Sequence, residues 1–193
     1  MAKTREKLVE IARQLFARKG IEDTTMNDIA MASDKGRRTL YTYFKSKTEI
    51  YHAVVQSELD LLYRRLAEVV HQDLPADRKL MEFMYVRFES IKEVVFRNGT
   101  LRADFFRDIW RVQSVRRKFD MLEISHIQSI LNEGIQTGLF EIEDPESMAV
   151  ILHHALKGLE VPYIRGQMNS TTLDRSKSHS VETLLFHGIK KRL

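Results

Sequence analysis

The chain has 193 residues, 43% hydrophobic and 30% charged, the make-up of a soluble globular protein with one large or two small domains. It has no cysteine, which excludes disulfides, thiolate nucleophiles and cysteine metal ligands, and no apolar run approaches the roughly 18–20 residues that span a bilayer. The whole net charge of +4 is carried by residues 1–50, where 11 Lys and Arg stand against 7 Asp and Glu, so the positive field is local to one end.

Three prolines and eight glycines are few, which favours long helices. The opening MAKTREKLVEIARQLF is charged throughout and lacks the apolar core of a secretion signal, so a cytoplasmic location is expected. A first helix is predicted over residues 4–19. Leu8, Ile11, Ala12, Leu15 and Phe16 form its apolar stripe, and Gly20 ends it. Thr25 and Asp28 have the spacing of a capping box and open a short second helix with Met26, Ile29 and Ala30 inward. That helix stops at Ser33-Asp34. A third starts near Gly36 and runs to about Phe44, with Leu40 and Phe44 toward the core. Ser46 and Glu49 read as a second capping box.

From residue 35 to 47 the chain carries Lys35, Arg37, Arg38, Lys45 and Lys47 and no acid, interleaved with Thr39, Tyr41, Thr42 and Tyr43. A short helix with a basic, hydroxyl-rich face and an apolar back suits major-groove reading. Its cations neutralise phosphates and its short polar side chains reach base edges. Ile29-Ala30 followed by TLYTYFKSK from Thr39, after a helix ended by Gly20, resembles the DNA-binding domain of the TetR/AcrR family of bacterial transcriptional regulators over about residues 4–52. The resemblance implies an all-α fold: a three-helix DNA-binding domain with a helix-turn-helix (residues 1–50), then a larger helical domain (51–193) for dimerisation and effector binding. By position it implies phosphate contacts from Thr25, Tyr43 and Lys47, and base contacts from Arg37, Arg38, Thr39 and Thr42, with Gly36 capping the recognition helix. The plainer readings are a cap for Thr25, a packing ring for Tyr43 and a solvated pair for the arginines; Tyr41 fits inside or outside. Asp34 and Lys35 stand where the family usually has Gly and a small apolar residue. Gly36 stands where it has Ser or Thr, and Arg38 where it often has a small residue.

A long helix is expected over residues 47–71, with Tyr51, Val55, Leu59, Leu62, Leu66 and Val69 in a stripe. Pro75 suits the first turn of the next, which carries Leu80, Phe83, Met84, Arg87, Phe88, Ile91, Val94 and Val95 to about Phe96. A separate helix is expected around Phe105, Phe106 and Trp110. Another, with Val115, Phe119, Leu122, His126 and Ile130 on one face, runs to about Gln136 and is ended by Gly138. Pro145 opens a helix with Met148, Ile151, Leu152, Ala155 and Leu159, and a last one carries Val181, Leu184, Leu185 and Gly188.

Arg87 and His126 are polar residues on apolar stripes. Arg87 is either an internal ion pair or the partner of an anionic ligand, and His126 either a satisfied half-buried histidine or a ligand contact. Phe83, Phe88, Trp110 and Phe119 are either core or the walls of that pocket. Adjacent His153 and His154 point about 100° apart and cannot chelate from one helix face, so no metal is expected. No phosphate loop, dinucleotide motif or acid–base constellation is present, so neither catalysis nor a cofactor is expected. The function expected is a homodimeric repressor on a near-palindromic double-stranded operator, released by a small ligand, with no membrane partner. The alternatives are a regulator without an effector, an activator, or a helical interaction module that has lost DNA binding.

Overall fold

The computed structural model describes residues 2–98, 109–164 and 186; residues 2, 109–115, 161 and 164 are described by their backbone alone. Within them the chain is all-α. The elements are α1 (Ala2–Lys19), α2 (Met26–Ala32), α3 (Arg37–Tyr43), α4 (Lys47–Val70), α5 (Ala76–Arg97), α6 (Ile109–Gln136) and α7 (Pro145–Ile164). Trp110 thus lies at the start of the same helix as Phe119, where a break was expected. Phe105, Phe106, Gly188 and the expected last helix lie outside the described residues, Phe186 apart. Two compact units are formed, Met1–Asp60 with Glu93–Arg117, and Leu61–Lys92 with Lys118–Leu193.

In the first unit α1 packs on α2 and α2 on α3. Leu8, Ala12, Phe16, Ile29, Leu40 and Phe44 from these helices join Ile50, Val54 and Val55 of α4 in one core. Gly20 adopts φ 85° and its N–H reaches the Phe16 carbonyl, which ends α1 as expected. The Thr25 capping box is complete: the Asp28 N–H donates to Thr25 Oγ1 at 3.1 Å, and the Thr25 N–H donates to Asp28 Oδ2 at 2.9 Å.

The turn after α2 has the Schellman geometry. The Asp34 N–H donates to the Met31 carbonyl at 3.2 Å and the Lys35 N–H to the Ala30 carbonyl at 3.2 Å. The motif needs a left-handed residue, and Asp34 supplies it at φ 55°, without glycine's freedom from steric cost. Ser33, fully buried, donates its hydroxyl to the Ala30 carbonyl at 2.9 Å. The second capping box forms in part. Ser46 Oγ accepts from the Glu49 N–H at 3.1 Å, but Glu49 reaches the Lys45 N–H at 2.6 Å, one residue before the expected cap. A second set of polar bonds ties the helices of this unit. Arg97 pairs with buried Glu58 at 2.6 Å, and Arg13, bonded to Glu10, donates to the Arg97 carbonyl at 3.0 Å.

In the second unit Leu66, Leu80, Phe83, Met84, Phe88, Phe119, Ile127, Ile130 and Leu131 are buried. Gly138 at φ 71° closes α6 by the same Schellman pattern, its N–H on Ile135 and the Leu139 N–H on Gly134. Gly134 leaves room for the Phe140 ring: a Cβ there would lie 2.1 Å from it. Inside this apolar frame sits Arg87, 1% exposed. Its Nε is 2.6 Å from Glu123 Oε1, its Nη2 2.5 Å from Glu160 Oε1, and its Nη1 donates to the Leu156 carbonyl at 3.4 Å.

That network sets the rotation of α7. Ala149, Leu152, His153, Leu156 and Glu160 face in, whereas Ile151, Ala155 and Leu159 of its apolar stripe face out. Ile151 is 60% exposed. On α6 the buried line likewise runs through Phe119, Glu123, Ile127 and Ile130, with Leu122 and His126 at its margin. Among the described residues no helix is long and apolar enough to cross a membrane.

Two substitutions test these constraints. Arg87→Met strands two carboxylates and should destabilise the protein by about 3–5 kcal/mol, whereas Arg87→Met with Glu123→Met and Glu160→Met should recover much of the loss. Urea denaturation at pH 7 measures both, and a loss below about 1 kcal/mol for the single variant would show that the network does not organise this unit. Asp34→Gly should raise stability by about 0.5–1 kcal/mol through relief of the left-handed conformation. A lowered melting temperature would mean that the Asp34 side chain contributes more than its backbone costs.

Candidate nucleic-acid interface

The turn after α2 aims α3 so that Leu40 and Phe44 are buried and the opposite side faces solvent. Gly36 is the N-cap, at φ −61° and ψ 148°, with no side chain to hold the exposed N–H groups. A Cβ there would meet nothing within 4 Å, so sterics do not require the glycine; it leaves the helix start uncovered. Arg37 and Arg38 follow in the first turn. Both are exposed and, among the described residues, neither side chain makes a hydrogen bond or ion pair; the same holds for the Lys35 ammonium. An unpaired guanidinium offers five N–H donors in a planar fork, the geometry that matches guanine O6 and N7 or a phosphate.

The other sequence-expected DNA residues divide by how far their polar atoms are already committed. Thr25 Oγ1 donates to Asp28 Oδ2 at 2.8 Å and accepts from the Asp28 N–H, so its proton serves the cap. The Thr25 backbone N–H and hydroxyl in turn hold the Asp28 carboxyl below its ordinary range. Lys47 Nζ donates to the carbonyls of Ile21 at 2.5 Å and Glu22 at 3.1 Å, which leaves one of its three N–H groups. Thr42 Oγ1 donates to the Arg38 carbonyl at 2.9 Å. Thr39 is half-buried, and Tyr43 is partly buried against the core of the unit. Tyr41 is 38% exposed, so the open alternative resolves outward. Lys45 bonds the Tyr41 carbonyl at 3.2 Å.

The sequence-expected ligand residues sit in the second unit. Phe83, Phe88 and Phe119 are buried members of its core. Arg87 is the internal ion pair. Its charge meets Glu123 and Glu160, and the expectation that it selects an anionic ligand is corrected accordingly. Burial opposes the charge on Glu123, yet Arg87 and His153 hold its carboxyl below the ordinary range. His153 Nδ1 lies 3.2 Å from Glu123 Oε1 without hydrogen-bond alignment, and Glu123 Oε2 has no hydrogen-bond partner among the described residues. His126 is half-buried and stacks on Tyr63 with ring centroids 5.0 Å apart, its Nε2 without a hydrogen-bond partner among the described residues. Burial and His71 push its pKa down. The Trp110 side chain lies outside the described residues. His153 is buried, His154 is exposed, and no group of three metal-ligating side chains occurs among the described residues.

Sequence reasoning missed Glu123 and Glu160. A signal was present: Glu123 stands four residues after Phe119 and four before Ile127, and Glu160 four after Leu156, so both continue apolar lines. Lys35, counted in the basic segment by the sequence, stands with Arg37 and Arg38 as a cation without a side-chain partner among the described residues.

Comparison with known proteins agrees with this geometry. The sequence model of the bacterial regulatory proteins, tetR family, matches residues 8–54. The HTH-type transcriptional regulator YhgD of Bacillus subtilis (strain 168) is 26% identical over 153 residues, 79% of this chain and 80% of that protein. A solved transcriptional regulator from Cytophaga hutchinsonii superimposes with a TM-score of 0.76 at 22% identity, over 96% of this chain and 98% of that one. SmeT, the repressor of the Stenotrophomonas maltophilia multidrug efflux pump SmeDEF, gives a TM-score of 0.70 at 18% identity, over 97% and 90%. SmeT is also known in complex with triclosan. Residues 8–54, which hold the capped helix-turn-helix, are thus a DNA-binding domain of the tetR family of bacterial regulatory proteins, and the chain as a whole is similar to bacterial HTH-type transcriptional regulators.

Proposed function

We propose that the protein is a homodimeric repressor that holds a near-palindromic operator through α3 of each copy and is released by a small molecule. The observation that carries the DNA part is the pair of exposed, unpartnered guanidiniums of Arg37 and Arg38 at the uncovered start of α3. Arg37, Arg38, Thr39 and Thr42 take the base edges, and the exposed N–H groups at Gly36 face the backbone. Tyr43, Lys35 and the remaining Lys47 N–H take phosphates. Thr25 contributes first as the cap that orients α2, because a phosphate oxygen needs a donor and its proton already serves Asp28. We assign DNA contact to residues 1–50, in the cytoplasm, and dimerisation with effector binding to residues 51–193.

The dimer reading rests on α7. Val150, Ile151, Ala155 and Leu159 form an apolar face that is exposed among the described residues, and a Cβ at Gly158 would meet nothing within 4 Å, so this side is open to a partner. A second copy covers it with the same face, as two-fold symmetry requires, and sets half-sites about 34–36 Å apart. The triclosan complex of SmeT supports a small-molecule effector for this fold. With Arg87 paired internally, no net charge of the effector is favoured. The effector acts only to the extent that it binds the released state more tightly, typically by about 1–3 kcal/mol.

Two measurements test the reading. Arg38→Ala should cost about 1–3 kcal/mol of operator binding by fluorescence anisotropy and relax preference at one base pair, whereas Lys35→Ala should weaken all sequences alike. Equal losses on operator and random DNA for Arg38→Ala would remove Arg38 from base reading. Ile151→Glu should give a monomer by light scattering at micromolar concentration with operator binding lost. A persisting dimer would place the interface on other helices.

A further inference from the structure

The recognition face of α3 offers two chemically opposite kinds of side chain one turn apart. Arg38 is exposed, has no partner among the described residues and can only donate. Thr42, also exposed and four residues on, donates its hydroxyl proton to the Arg38 backbone carbonyl at 2.9 Å. A free threonine hydroxyl turns its proton toward whichever partner it meets. Here the proton is held on the helix, and the Oγ1 lone pairs are what remain for a partner. Thr39 differs, because among the described residues its hydroxyl makes no hydrogen bond and stays free to serve either role.

In the major groove the bases fall into two classes by the same criterion. Adenine N6 and cytosine N4 are amino donors; thymine O4 and guanine O6 are keto acceptors. Every base pair has one of each, so an acceptor-only side chain distinguishes which strand carries the amino base. We infer that Thr42 is a specificity residue for an amino base, adenine or cytosine, and that Arg38 takes a guanine beside it. Four helical residues rise about 6 Å and stacked bases about 3.4 Å, so the two positions lie one to two base pairs apart. To serve a keto base Thr42 must give up its bond to the Arg38 carbonyl. The loss of one neutral hydrogen bond corresponds to a preference of about two- to tenfold. The inference rests on α3 being the major-groove helix.

The experiment is selection of binding sites from a random duplex pool by the full-length protein, followed by affinities for single-base variants of the selected site. The wild type should enrich a guanine and, one or two base pairs away on one strand, adenine or cytosine over guanine or thymine by about fivefold. Thr42→Val keeps the shape and should retain the guanine while losing the amino preference. Arg38→Ala keeps the backbone carbonyl, and with it the Thr42 bond, so it should lose the guanine and retain the amino preference. Guanine or thymine at the position sensitive to Thr42→Val would overturn the inference, as would identical base frequencies for wild type and Thr42→Val. Loss of both preferences together in Arg38→Ala would also overturn it. A wild type that enriches no site at all would instead remove the major-groove reading of α3 on which it stands. Circular dichroism of each variant confirms that these exposed positions leave the fold unchanged.

Discussion

Arg87 carries a charge where water does not reach it, and the second unit is arranged around that fact. A buried guanidinium requires acceptors in its own plane, and Glu123, Glu160 and the Leu156 carbonyl supply them from α6 and α7. The requirement fixes the rotation of both helices. Once Glu160 and His153 face inward, the helical repeat turns Ile151, Ala155 and Leu159 outward, so an internal ion pair determines which apolar face the protein presents. Replacing such a cluster by apolar side chains often costs little, so its value here lies in setting orientation more than in adding stability.

The first unit follows the converse rule. Its polar groups are either used within the helices or left wholly free. Thr25 caps α2, Ser33 satisfies the Ala30 carbonyl, Glu49 holds the Lys45 N–H and Lys47 binds the turn after α1. These bonds satisfy the orphan groups at helix ends and so make the two short helices α2 and α3 possible, since seven residues alone do not form a stable helix. The guanidiniums of Arg37 and Arg38 and the Lys35 ammonium are excluded from that bonding and keep their donors for an outside partner.

The parts of the fold legible in the sequence are those governed by local chemistry. Gly20 and Gly138 stop helices by left-handed geometry, Thr25 and Asp28 form a box within four residues, and the stripe of α1 is buried as its spacing implies. Parts that depend on partners distant in sequence were not legible. The acids that hold Arg87 lie 36 and 73 residues away, and although Glu123 and Glu160 continue apolar lines, nothing local names Arg87 as their partner. For α7 hydropathy shows which residues are apolar but not which of them, like Leu152, are covered by this chain and which, like Ile151, are left outside. Among the candidate DNA residues the sequence could show Thr25, Thr42 and Lys47 by position, but not that each already uses hydrogen-bond donors inside the fold.

That commitment has a mechanical consequence for α4. Its first residue, Lys47, grips the carbonyls of Ile21 and Glu22 in the segment that leads to the Thr25 cap. Eleven residues on, Glu58 is buried against Arg97, whose backbone carbonyl accepts from Arg13 of α1. Residues 47–58 are therefore held to α1 and its turn at two places about three helical turns apart, with Tyr51 and Val54 in the shared core between them. A segment pinned twice cannot pivot about one end without breaking a buried or half-buried polar bond, and each such bond lost leaves an unsatisfied group. Displacement of α4 must then carry α1, the turn and the capped α2 with it, and the Schellman turn at Asp34 passes that movement to α3 because its two hydrogen bonds leave no slack between α2 and the recognition helix.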